Sequence, residues 1–110
     1  MKETLKKFGL TEDGMGFSDR NGCYYETIER ALWGGVLGFC CCGEPDKGLK
    51  IIRDVLDAIE SREFKEEFVF HYYILDKLGL TKHGSSIYGS WLSDAGEAFL
   101  KILRELELQS

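Results

Sequence analysis

The sequence predicts a mainly α chain: a single domain, residues 1–110, built as a bundle of about four helices with a short wing-like hairpin before the last. Three observations lead there. Apolar residues recur three and four positions apart through most of residues 23–106, the spacing of helices with one buried face. Helix-breaking residues are concentrated in a few places, chiefly residues 9–22, 34–45 and 79–89. With 44% apolar residues in 110, the chain can bury one core without a metal or disulfide.

The first 22 residues read as a short helix and a loop. Leu5 and Phe8 form the apolar side of a helix over 3–8 that Gly9 stops. Asp13-Gly14, Gly16 and Asn21-Gly22 then signal turns, with Met15 and Phe17 as anchors.

Residues 23–78 carry three helices. The first runs from Cys23 to Phe39, with Tyr25, Ile28, Leu32, Val36 and Phe39 on one face. Gly34, Gly35 and Gly38 weaken it by about 1 kcal/mol each relative to alanine. Either the glycines let another backbone approach closely, or the helix ends near Trp33 and a glycine-rich loop follows. The second helix starts at Pro45, whose fixed φ suits a first helical position, and buries Leu49, Ile52, Leu56 and Ile59, flanked by Ile51 and Val55. One long helix is excluded by phase: the stripe would continue at Glu63 and Glu66, yet the apolar residues arrive at Phe64, Phe68, Tyr72, Leu75 and Leu78. A break near Ser61, read as an N-cap, restores both stripes and gives a third helix over 62–78, capped by Gly79.

Residues 79–92 change pattern and read as a hairpin or wing, bent at Gly84 and Gly89 and anchored by Ile87, Tyr88 and Trp91. Ser93 caps the last helix, 93–107, with Ala95, Phe99, Ile102 and Leu106 in register. The expected core is Leu49, Ile52, Leu56, Ile59, Phe68, Leu75, Phe99 and Leu103.

A net charge of −5 argues against a general nucleic-acid binder, which draws affinity from neutralising phosphates, and against electrostatic attachment to a membrane. No run approaches the roughly 18 apolar residues of a membrane span. The opening Met1–Phe8 lacks the apolar run of a secretory signal, so the expected location is the cytoplasm, with reduced thiols.

Among candidate chemistries, a metal site is the sharpest. Cys40 and Cys42, in a C-x-C arrangement, can share one ion with Cys23 and a histidine, His71 or else His83, and zinc suits such thiolates. The bland reading is that these cysteines are small buried hydrophobes in a tight turn between helices, with no cofactor. Cys42 precedes a helix N-terminus that lowers a thiol pKa, but Glu44 opposes a thiolate and no base is placed beside it. His83 with Ser85 and Ser86 lacks both an acidic orienter and a G-x-S-x-G context, so the serines are read as turn hydrogen-bonders. The chain is not expected to be an enzyme.

Two resemblances add context. Leu78-Gly79-Leu80-Thr81, a bend, and then Trp91-Leu92-Ser93-Asp94-Ala95-Gly96 resemble the end of winged-helix domains, which implies DNA binding. The third helix departs from that pattern: Arg62, Lys65 and Lys77 are set against Glu63, Glu66, Glu67 and Asp76, a poor surface for phosphates. Phe39-Cys40-Cys41-Cys42-Gly43-Glu44-Pro45, with His83-Gly84 and Gly89-Ser90-Trp91-Leu92, is similar to small uncharacterised proteins encoded by bacteriophages and prophages. That resemblance implies a host-cell cytoplasm and no particular activity. The expectation is a small acidic accessory protein acting through a protein partner or a second copy of itself, with His83, Tyr88 and Trp91 as interaction residues. The alternatives are a structural zinc protein and a winged-helix DNA binder.

Overall fold

The structure, a computed structural model, describes residues 2–39 and 43–106. The Cys40-Cys41-Cys42 turn therefore lies outside the described residues. The chain groups into two compact units, one up to Leu49 and one from Lys50 onward.

In the first unit, helix α1 (Lys2–Lys7) buries Leu5 and ends at Gly9, at φ +80°. The amides of Gly9 and Leu10 close on the Lys6 and Leu5 carbonyls, a hydrogen-bonded helix stop that favours glycine. The turn-rich stretch that follows is a small antiparallel sheet, so the fold is mixed α/β and not a purely helical bundle. Strands β1 (Thr11–Asp13) and β2 (Gly16–Ser18) form a hairpin around Gly14-Met15, with Gly14 at φ +65°. Met15, expected as an anchor, is instead 97% exposed at the tip. The third strand, β3 (Tyr24–Tyr25), pairs with β2 and places Phe17 opposite Tyr25.

Residues 23–27 are thus not helical. Thr27 is the N-cap, its hydroxyl accepting from the Arg30 amide at 3.2 Å, and it fixes the start of α2 (Ile28–Arg30). The helix then widens into a π-helix over Ala31–Val36 and stops before Gly38, at φ +80°. It passes Trp33, beyond the earlier of the two expected ends, and stops short of Phe39. Gly35 explains the glycine content: a Cβ there would sit 3.2 Å from Leu10 and 3.3 Å from Tyr25. Ala31, Leu32 and Leu37 are buried with Leu10.

Helix α3 (Pro45–Glu60) begins in the first unit and ends in the second, with the expected bounds. Its stripe is buried as read from spacing: Leu49, Ile52, Val55, Leu56 and Ile59, while Ile51 faces outward.

In the second unit, the break after α3 has a different cause from the one expected. Ser61 is not an N-cap; its hydroxyl donates back to the Asp57 carbonyl at 2.7 Å, closing the end of α3. Arg62 turns the chain at φ +60°, with Arg62 N–H bonded to the Ile59 carbonyl and Glu63 N–H to that of Ala58. Helix resumes only at Glu66–Phe68, a 3₁₀ turn, and continues as α4 (Val69–Lys77). Tyr72 and Leu75 are buried on α4, and Phe68, expected in the core, is half-buried. The Tyr72 hydroxyl accepts from the Lys65 amide at 2.8 Å and pins the approach to α4.

The wing is present. Strands β4 (Thr81–Lys82) and β5 (Trp91–Leu92) pair antiparallel, Thr81 opposite Leu92 and Lys82 opposite Trp91, around a 3₁₀ turn at Ile87–Gly89. Only Ile87 of the three expected anchors is buried; Tyr88 and Trp91 are exposed. Ser93 caps α5 (Asp94–Glu105): its hydroxyl accepts from the Gly96 amide at 3.1 Å and donates to the Gly79 carbonyl at 2.6 Å. Phe99, Leu100, Ile102 and Leu103 are buried on α5, whereas Ala95 is exposed; the inward position is Gly96, where any Cβ would overlap the Leu80 carbonyl oxygen.

Candidate functional site

The second unit gathers the candidate interaction residues at the wing. Beside β5, a groove of about 310 Å³ is lined by Glu60 at the end of α3, Arg62, Trp91, Leu92 and Glu97. Trp91 is 47% exposed on a strand whose backbone is paired with Lys82, so part of the indole meets solvent. An indole face beside carboxylates is suited to a cationic side chain, which the ring quadrupole and the acids attract together. Glu60 does not stand alone: Arg104 on α5 donates to it at 2.9 Å and, through Nε, to Asp57 at 3.1 Å. Hydrogen bonds to Glu60 and then Asp57 raise the Arg104 pKa further, fixing its charge. The sum over Asp57, Glu60, Glu97, Arg62 and Arg104 is one net negative charge.

At the other side of the wing, His83 Nδ1 lies 2.9 Å from Asp76 Oδ1. No acidic orienter for His83 is visible in the sequence; the turn of the chain at Gly79 supplies one seven residues away. An imidazole held by a carboxylate is half of an acid–base device. Of the two candidate serines, Ser86 is engaged in a turn, its Oγ accepting from the Tyr88 amide at 3.2 Å; further along the same turn Ser90 Oγ donates to the Ile87 carbonyl at 2.5 Å. The Ser86 bond is of the turn type expected for it. Tyr88 packs edge-on against Tyr72, ring centroids 6.3 Å apart, with its outer side exposed.

Of the metal-ligand candidates, Cys40 and Cys42 lie outside the described residues. Cys23 is exposed in the first unit with a free thiol, its amide donating to Asp19 at 3.0 Å. His71 is on α4 in the second unit, edge-on to Phe68 at 6.1 Å and Phe70 at 6.3 Å. Its Nδ1 is buried with no hydrogen-bond partner among the described residues, and desolvation lowers its pKa. A neutral imidazole is the form that binds metal, but no group of three His, Cys, Asp or Glu side chains suited to a metal ion occurs among the described residues.

The first unit has a second concavity of about 400 Å³, lined by Tyr24, Tyr25, Arg30, Trp33 and Pro45. Trp33 organises it: Phe39 stacks on the indole with centroids 4.7 Å apart, and Gly48 leaves room that a Cβ would fill. Tyr25, one of the lining residues, is held by Asp19, which accepts from the Tyr25 hydroxyl at 2.9 Å and from the Asn21 amide at 2.9 Å. Partial desolvation works to raise the Asp19 pKa, but bonds from the Cys23 amide, the Tyr25 hydroxyl and the Asn21 and Gly22 amides outweigh it and hold it low.

No protein family, curated protein or solved structure matches this chain. No helix among the described residues is long and apolar enough to cross a membrane.

Proposed function

We propose that this chain is a protein-binding accessory module, and that the groove beside Trp91 receives a segment of a partner protein carrying a basic side chain. The observation that carries the reading is the half-exposed Trp91, which lines one groove together with Glu60 and Glu97. Tryptophan is among the residue types that most often dominate binding energy at interfaces. Charge complementarity favours a basic occupant, because the groove and its supporting ion pairs are net negative and the whole chain carries −5. His83 and Tyr88, on the same wing, would meet the flanks of that segment. The resemblance to phage-encoded proteins would set this binding in the cytoplasm of a host cell.

The test is fluorescence anisotropy with a labelled octapeptide of alternating lysine and leucine, and its glutamate–leucine counterpart as control. The lysine peptide should bind saturably, and Trp91→Ala and Glu97→Gln should each weaken it about tenfold. Equal binding of both peptides, or binding indifferent to Trp91, would refute the proposal.

A further inference from the structure

The outer face of α4 is a second exposed apolar surface, separate from the groove at Trp91. A helix at a protein surface normally turns polar residues outward. On α4 the inward residues Tyr72 and Leu75 are fully buried, yet the outward Phe70 is 70% exposed and Tyr73 59%. Glu66, in the 3₁₀ turn that leads into α4, and Lys77, the last residue of α4, are both exposed and flank this aromatic pair along the chain. Read along the chain, the order is acid, aromatic, aromatic, base.

Such an order is complementary to itself reversed. We infer that α4 is the contact face of a homodimer, in which two copies cross antiparallel about a two-fold axis passing between His71 and Tyr72. Glu66 then faces the partner's Lys77, Phe70 faces the partner's Tyr73, and each pair occurs twice, as an isologous interface requires. A parallel arrangement would set Glu66 against its own copy and Lys77 likewise, so the charges select the antiparallel one. The like-charged pair this creates is Glu67 with the partner's Asp76, and Asp76 is already bonded to His83. Two aromatic side chains contribute a few hundred Å² per copy against roughly 800 Å² in a standard interface, so the dimer is weak and depends on concentration.

Sedimentation equilibrium on the whole chain, from about 10 µM to 1 mM at low salt, tests this. The wild type should pass from monomer to dimer across that range, and added salt should weaken the dimer. Phe70→Glu should remain monomeric throughout. Glu66→Lys and Lys77→Glu should each weaken dimerisation about tenfold, because each creates two like-charged pairs, while the double variant E66K/K77E should regain wild-type association. The rescue separates this interface from a fold defect, since the double variant carries both changes. A wild type that is monomeric at 1 mM, or a double variant no better than the singles, overturns the inference.

Discussion

Arg62 is the one described non-glycine residue with positive φ, and replacing it with glycine tests the backbone account of the break between α3 and α4. Among the described residues this kind of helix stop occurs after α1, α3 and α4, with Gly9, Arg62 and Gly79 at the turning position. A side chain there costs about 1–2 kcal/mol, because its Cβ crowds the neighbouring carbonyl. Glycine removes that strain but loses about 0.4–1 kcal/mol through the greater freedom of its unfolded chain. The Arg62 side chain is exposed and makes no hydrogen bond or ion pair among the described residues, so little else is lost. Arg62→Gly should therefore stabilise by about 0.5–1 kcal/mol, a rise of a few degrees in Tm for a chain of this size. Urea unfolding with an unchanged slope against denaturant is the assay. Removing a positive charge from the rim of the groove should also tighten the lysine–leucine peptide about twofold at low salt. A variant less stable than wild type by 0.5 kcal/mol or more would refute the reasoning, since the arginine would then be contributing contacts that outweigh the strain.

Gly96→Ala should destabilise by at least about 3 kcal/mol, measured by the same unfolding assay, because the new methyl overlaps the rigid Leu80 backbone. Gly48→Ala first meets the Trp33 ring and should cost about 1–3 kcal/mol, with a change in tryptophan fluorescence as the indole shifts. Thr81→Val should be neutral or stabilising by up to about 1 kcal/mol in thermal unfolding, since the buried Thr81 hydroxyl has no partner to lose among the described residues. His71 has a folded pKa below its ordinary 6.5, so the unfolded chain takes up its proton first. Its contribution to stability is full above pH 6.5 and is lost as pH falls from there through the folded value; His71→Leu should flatten that part of the stability–pH curve.

Long amphipathic elements were legible because their periodicity repeats the same information several times. The stripe of α3 carries five buried positions in register, and its change of phase at Glu63 correctly separates α3 from α4. Ser93, Gly79 and Pro45 marked helix ends through local chemistry that a sequence displays directly. Three-residue strands hold too few positions for alternation to rise above chance, which is why β1 and β2 were hidden although the Asp13-Gly14 turn between them was visible. Thr27 was the missed signal for β3: a capping threonine inside an apparent helical stripe ends that stripe, and the residues before it were free to pair with β2. The serine at 61 misled for a related reason. A hydroxyl can serve a helix start or back-bond into the previous turn, and the deciding feature is the left-handed Arg62, which no residue preference announces.

The candidate site divides along the same line. Tyr88 and Trp91 were recognisable as aromatic residues in a turn-rich segment, but whether they anchor the wing or face outward depends on which residue of the hairpin fills the interior, and that place goes to Ile87. The groove needs Glu60, Trp91 and Glu97 from three separate elements, so no spacing along the chain encodes it. The outer face of α4 is the opposite case: Phe70 and Tyr73 are spaced for one helical face, yet an aromatic pair at that spacing is equally in place on a buried helix. Among the described residues, Tyr72 and Leu75 on the inner side of α4 are covered, while Phe70 and Tyr73 on its outer side are not. The exposed aromatic pair is therefore where the periodicity of the sequence and the packing of one copy disagree. A second copy, brought in antiparallel, removes that disagreement without requiring any residue on α4 to change.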